Sequence, residues 1–187
     1  MIELTKQDFN CVGLVARHCN NEKLCIAIDE AKMFDFIPLI CELASDVKSH
    51  WSEISGDFYD LINGSDYTDC GGNTVHQIGL KRVLVYYAYA RYVMINNFDD
   101  TPNGGVTKTN DFSMPKPLKE LRSISNRYRA MAKQVWEYQV LPYLCHNKDK
   151  FINFDSSDCR GCGCGSNCNL NKENTKGYGL TGVNIGE

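Results

Sequence analysis

Four cysteines crowd into ten residues near the C-terminal end of this chain: Cys159, Cys162, Cys164 and Cys168, with Gly161, Gly163 and Gly165 between them. A thiolate is a nucleophile, a soft metal ligand and half of a disulfide. Glycines let the backbone wrap tightly enough to aim four sulfurs at one point. Four sulfurs suit tetrahedral zinc or an iron–sulfur cluster. The spacing is unusual for structural zinc, which commonly takes Cys-x-x-Cys from each of two separated segments; Cys145-His146 can substitute for one ligand. Zinc at Cys159, Cys162, Cys164 and Cys168 is one expectation. Unpaired thiols and disulfides formed under oxidising conditions are the alternatives.

The other six of the ten cysteines, Cys11, Cys19, Cys25, Cys41, Cys70 and Cys145, are scattered. All ten together fall short of the roughly 8–10% of a disulfide scaffold. Met1 to Asn10 carries Glu3, Lys6 and Asp8 and no apolar core of a secretory signal. The expectation is therefore a reducing cytoplasm, with the scattered cysteines serving as small buried hydrophobes. Catalytic patterns are weak. His18, His50 and His76 lack the spacing of a nucleophile–base pair, and Cys70-Gly71-Gly72 reads as a loop. Asn103-Gly104-Gly105-Val106 lacks the Gly-Lys-Ser/Thr ending of a phosphate loop. No enzyme is expected.

The elements that would position these groups are mostly helical. Thr5 and Asp8 suit a capping box for a short helical turn. Asn20 and Asn21 cap a helix over about 22–50, with Pro38 expected to kink or split it. Residues 52–77 read as a loop with a helical turn near Phe58–Ile62, and Val75–Asn97 as a buried helix. Its Tyr86, Tyr87, Tyr89 and Tyr92 could stack bases but, at helical spacing, read as core and interface residues. Phe98–Lys116 is a long polar loop with an Asn103-Gly104-Gly105 turn signal and an alternating Val106–Thr109, hence a candidate β-hairpin. Leu118 to about Tyr143 is the clearest amphipathic helix, ended by Pro142 and Asn147; Lys119, Arg122, Arg127 and Arg129 lie off its apolar stripe as a basic face. The fold class is mainly α: a helical bundle over 1–150 with a long projecting loop, and an extended arm over 151–187. No apolar run reaches the ~18 residues of a membrane span.

Charge is uneven. Residues 1–70 carry net −8, residues 71–133 net +6 and residues 134–187 net −1. Such a division suits nucleic-acid binding by the middle third, association of one copy's acidic face with the next copy's basic face, or neutralisation within one fold.

The order of parts carries a resemblance. Ala27-Ile28-Asp29-Glu30-Ala31 is followed by Phe36-Ile37-Pro38-Leu39-Ile40; Gly79-Leu80-Lys81 runs into Tyr86-Tyr87-Ala88-Tyr89-Ala90-Arg91-Tyr92. Then Thr101-Pro102-Asn103-Gly104-Gly105-Val106-Thr107-Lys108 leads through Ser113 to the helix ending in Tyr143-Leu144. Over roughly residues 1–147 this resembles the head–tail connector (adaptor, head-completion) proteins of tailed bacteriophages, in particular those of Bacteroidetes phages including the crAss-like group. The resemblance implies a structural virion protein, made in the host bacterial cytoplasm and placed in the neck. Its copies would form a ring, often twelvefold, under the portal. The ring would extend the DNA channel, without sequence recognition, and dock the next tail component. The loop residues Asn103, Gly104, Gly105, Val106 and Lys108 would reach a neighbour or the lumen. The cysteine-rich arm lies outside the shared pattern. The alternative is a cytoplasmic zinc-dependent nucleic-acid-binding regulator that uses the basic middle third and the cysteine run.

Overall fold

The computed structural model describes residues 2–12, 21–101, 104–107 and 117–154; for 98–101 and 104–107 it describes the backbone alone. Cys19, Asn103, Lys108 and the arm from 155, with all four clustered cysteines, lie outside the described residues. The fold is mainly α. Five helices among the described residues lie in about the first half of the chain: α1 (Asn21–Ala31), α2 (Ile37–Ile40), α3 (Ala44–His50), α4 (Asp57–Asn63) and α5 (Leu80–Ile95). Two more follow, α6 (Leu118–Val135) and α7 (Leu141–His146). Strands β1 (Ser65–Thr68) and β2 (Thr74–Gln77) form one antiparallel hairpin, β3 (Phe98–Thr101) and β4 (Gly104–Thr107) another. Ahead of α1, the Thr5 amide and hydroxyl both donate to the Asp8 carboxylate, at 2.7 and 2.9 Å, and open a tight turn over Lys6–Cys11 that buries Phe9.

Two prolines shape the helices by the same means. A proline lacks the N–H of the ladder, and its ring collides with the carbonyl four residues back. Pro38 and Pro142 each stand second in a short helix, α2 and α7. Each helix is preceded by a wide π-turn, Lys32–Phe36 and Trp136–Val140. There the Ile37 amide reaches back five residues to the Lys32 carbonyl, and the Leu141 amide reaches the Trp136 carbonyl. The extra residue makes room for the ring. Pro142 therefore does not end the helix, contrary to the sequence expectation; the chain stays helical to His146, and Asn147 closes it by bonding the Tyr143 carbonyl at 3.0 Å. Pro38 does split its helix, and a second break follows at Cys41, the non-glycine residue with positive φ (44°) among those described.

α5 is the axis of the bundle. It packs between α1 and α6, and its Leu80, Val83, Leu84, Val85, Tyr87, Ala88 and Ala90 are all buried. A helix apolar on every side belongs in the centre. Burial pushes the Tyr87 and Tyr89 phenols above their ordinary values, because the charged form loses water. Tyr89 meets Tyr128 of α6 edge-on at 4.6 Å, and the Tyr128 hydroxyl donates to the Val12 carbonyl at 2.8 Å, tying the N-terminal turn to α6.

The helical turn expected near Phe58–Ile62 is α4. The rest of the segment before α5 departs from the expected loop and early helix: it forms the β1–β2 hairpin, with Ser65 opposite Gln77 and Thr68 opposite Thr74. Gln77 is fully buried. Its side-chain amide donates to the Asp60 carbonyl at 2.5 Å and its oxygen accepts from the Gly79 amide at 2.7 Å, so one side chain joins the end of α4 to the start of α5. Gln77→Leu keeps the volume but strands the Gly79 amide without a partner. Urea unfolding is expected to show a loss of about 1–3 kcal/mol. In the second hairpin, Gly104 and Gly105 of the expected turn signal pair with Thr101 and Asp100 as part of β4.

Candidate functional site

α6 separates its faces cleanly. Leu121, Ser125, Ala132 and Val135 are buried against the bundle. Lys119, Arg122, Arg127 and Lys133 are exposed on the other side. No ion pair among the described residues engages these four. Lys119 and Arg122 are three positions apart, a spacing at which like charges on a helix repel by a few tenths of a kcal/mol.

Arg129, the fourth residue of the expected basic face, has a different setting. Its Nη1 donates to Asp35 Oδ1 at 2.8 Å, while Asp35 Oδ2 accepts from Arg91 Nε at 2.6 Å. Arg91 Nη1 in turn reaches Glu30 Oε2 at 2.9 Å. The hydrogen bond that Arg91 donates to Asp35, with the charges of Asp35 and Glu30, raises Arg91 above its already high ordinary value. Lys81 lies 3.7 Å from Asp8. Part of the acidic first third and the basic middle third thus neutralise each other inside one fold, while Lys119, Arg122, Arg127 and Lys133 remain as outward cations.

Beside this network an apolar stripe faces outward. Ile26, Met33 and Ile37 recur seven and four residues apart, and Phe34 joins them; Met33 is 58% and Phe34 63% exposed. The Arg91 guanidinium lies 5.4 Å from the Phe34 ring centre. Because Arg129 of α6 reaches Asp35, the stripe and the α6 helix share a border. An apolar patch flanked by cations is suited to macromolecular contact rather than to chemistry.

Two of the histidines among the described residues pair with carboxylates. His50 Nδ1 is 2.6 Å from Glu53 Oε1, and His76 Nδ1 is 2.6 Å from Asp66 Oδ1; both are partly or largely exposed pairs. A shallow depression of about 400 Å³ between α5 and α6, near Tyr86, Met131 and Tyr138, is lined by apolar, phenolic and amide groups. Among the described residues no three His, Cys, Asp or Glu side chains gather as a metal site.

The cysteines correct the sequence reading. Cys11, Cys25 and Cys41 are free but exposed, not buried. Cys70 is exposed as well, and both Cys70 and Cys145 are disulfide-bonded; Cys145 alone of these is buried. A short thiol side chain does not by itself select a core position; the helix face it falls on does, and Cys25 and Cys41 fall on outward faces. The structure also brings Cys70 Sγ within 3.6 Å of His146 Nδ1, a meeting over 76 positions of sequence. The only sequence signal for it was the Cys145-His146 pair. Of the expected loop residues, Gly104, Gly105 and Val106 lie in β4.

The sequence model of a family described as a family of unknown function (DUF6712) matches residues 38–163, more than half of the chain. No curated protein and no solved structure matches it.

Proposed function

We infer that this chain, which belongs to the DUF6712 family of unknown function, is a structural virion protein without catalysis: a head–tail adaptor of a tailed bacteriophage. Its copies form a ring under the portal, extend the DNA channel and dock the next tail component. The observation that carries this reading is the exposed α1–α2 apolar stripe, tied through Asp35 and Arg129 to α6, the helix that carries the exposed cations. A folded chain that leaves Met33 and Phe34 mostly exposed has a surface suited to protein partners. In a ring each copy presents one face to one neighbour and a different face to the other, and such heterologous contacts close when the rotation allows. The motif order along residues 1–147 points the same way.

Native mass measurement of the protein alone and mixed with the portal tests the reading. A multimer of this chain on the portal is expected. A chain that stays monomeric in the mixture would sink the idea. Reversing two exposed cations, Arg122→Glu with Arg127→Glu, is expected to weaken portal-dependent assembly at least about tenfold with an unchanged circular dichroism spectrum, since wrong-sign charges at a contact cost several kcal/mol.

The same basic row favours a second reading, a zinc-dependent nucleic-acid-binding regulator. That protein would bind duplex DNA at ~50 mM salt, lose most of the affinity by ~200 mM, and lose it with the same charge reversals. An adaptor whose lumen only passes DNA shows no such tight complex.

A further inference from the structure

Two surfaces of this fold complement each other in shape and charge. The first is a ridge. Met33 and Phe34 stand outward from the π-turn over Lys32–Phe36. Arg91 lies over the Phe34 ring and is itself held by Asp35 and Glu30, so the ring is positioned before any partner arrives. An aromatic anchor fixed in advance loses little freedom on binding. Glu22, Ile26, Asp29 and Met33 follow one another at four, three and four positions, the spacing of one helix face. Carboxylates therefore alternate with apolar groups along the ridge. Asp29 pairs with Lys32 at 2.7 Å, but the Asp29 side chain is 69% exposed and that of Lys32 19%, so the charge turned outward is negative.

The second surface is the depression of about 400 Å³ between α5 and α6. Tyr86 forms one wall; Met131, Val135 and Tyr138 form the other, where α6 runs into the second π-turn, Trp136–Val140. Cations stand at its edge. Arg82 lies one turn before Tyr86, 6.0 Å from the ring centre. Arg127, which is exposed, lies one turn before Met131. An apolar hollow with cations beside it is the counterpart of an apolar ridge with carboxylates beside it.

The two surfaces lie on opposite sides of the α5–α6 pair. Arg129 of α6 turns toward the ridge, where it meets Asp35. Met131 is two positions further on, about 200° around a helix of 3.6 residues per turn. Likewise Arg91 of α5 turns toward the ridge, and Tyr86, five positions earlier, is about 140° away. One chain therefore cannot fill its own depression with its own ridge. A second copy can, and its far side then offers the same depression to a third.

We propose that the ridge of one copy seats Met33 and Phe34 in the α5–α6 depression of the next, with Glu22 and Asp29 facing Arg82 and Arg127. The contact is heterologous, the kind that repeats from copy to copy and closes into a ring when the rotation allows. It rests on the ring reading above and names the two faces that make the ring.

The test is photocrosslinking of the full-length chain with benzoylphenylalanine in place of Phe34, for the protein alone at high concentration and mixed with the portal. Covalent dimers are expected, with position 34 of one copy joined to Tyr86, Met131 or Tyr138 of another. A second measurement uses complementary defects. Met33→Glu with Phe34→Glu spoils the ridge alone, and Arg127→Glu with Tyr138→Glu spoils the depression alone; all four side chains are exposed, so the fold has little stake in them. By native mass measurement, each variant by itself is expected to self-associate at least about tenfold more weakly than the parent, since wrong-sign charges at a contact cost that much or more. Mixed in equal amounts, the two are expected to give a one-to-one pair that does not extend, because each brings one intact face. A patch that pairs with its own copy gives no such recovery.

Absence of covalent dimers, position 34 joined to any other surface, or a mixture that recovers no pair overturns the proposal. A multimer on the portal with position 34 joined elsewhere leaves the ring reading standing and removes this contact. The mapped crosslink in a chain that never joins the portal keeps the contact and removes the adaptor.

Discussion

Gly79→Ala is expected to destabilise the fold by about 3 kcal/mol, lowering the melting temperature by roughly 6–12 °C in a thermal scan followed by circular dichroism. Gly79 has φ +85° and ψ 158°, a backbone region open essentially to glycine alone. It also has no room. A Cβ there would collide with the Ile62 carbonyl oxygen and stand 2.6 Å from the Gly64 amide nitrogen and 2.7 Å from the Asn63 carbonyl carbon. These are backbone atoms at the end of α4, and they have no rotamer by which to step aside. Gly64 is locked to the same place from the other side, 2.7 Å from the Gln77 carbonyl oxygen when given a Cβ. The comparison that isolates the clash is Gly56→Ala. Gly56 has φ +104° but nothing within 4 Å of an added Cβ, so only the conformational cost remains, about 1–2 kcal/mol. Equal losses at the two positions would show that the close approach of α4 and α5 contributes nothing.

Asp35→Asn is expected to cost about 2–4 kcal/mol in urea unfolding. The Asp35 side chain is 9% exposed and neutralises two guanidinium groups, Arg91 at 2.6 Å and Arg129 at 2.8 Å. Removing one partner from a buried pair costs ~3–5 kcal/mol, because the remaining charge has lost both water and counterion. The figure is lowered here because Arg129 keeps about a third of its surface in solvent. An exposed pair gives the contrast. Lys150 and Asp57 are 2.7 Å apart but each is about half exposed, so Lys150→Ala is expected to cost under about 1 kcal/mol. Asp35 also carries a surface consequence. It holds Arg91 against Phe34 and α6 against the π-turn, so its loss is expected to loosen the tie between the apolar stripe and α6. Portal-dependent assembly is then expected to fall with it, whereas Lys150→Ala leaves assembly unchanged.

Much of this was legible in local chemistry. The Thr5–Asp8 box, the strong amphipathicity of α6, the all-round apolar character of α5 and the Val106 alternation act within a few residues, and each produced its element. The prolines were read half correctly. That Pro38 and Pro142 disturb a helix follows from their missing amide, but whether the helix stops or widens depends on packing around the bend. Val140, Tyr143 and Leu144 are buried, which keeps the chain helical past Pro142. The β1–β2 hairpin was missed because Ser65-Asp66-Tyr67-Thr68 has neither an apolar run nor alternation. It is held by Gln77 and by glycine contacts from α4 and α5, none of which is local.

By itself the sequence determined the helical class, the central place of α5, the outward basic row of α6 and the separation of four clustered cysteines from the rest. These follow from side-chain periodicity, which needs no partner. Only the tertiary structure decided which charges neutralise each other, which cysteines face solvent and which histidine meets Cys70. Those depend on where helices far apart in sequence come to rest. Asp35 and Arg129 are 94 positions apart, and Cys70 and His146 are 76. No spacing rule reaches that far, because a contact between two elements is set by the packing of all the others.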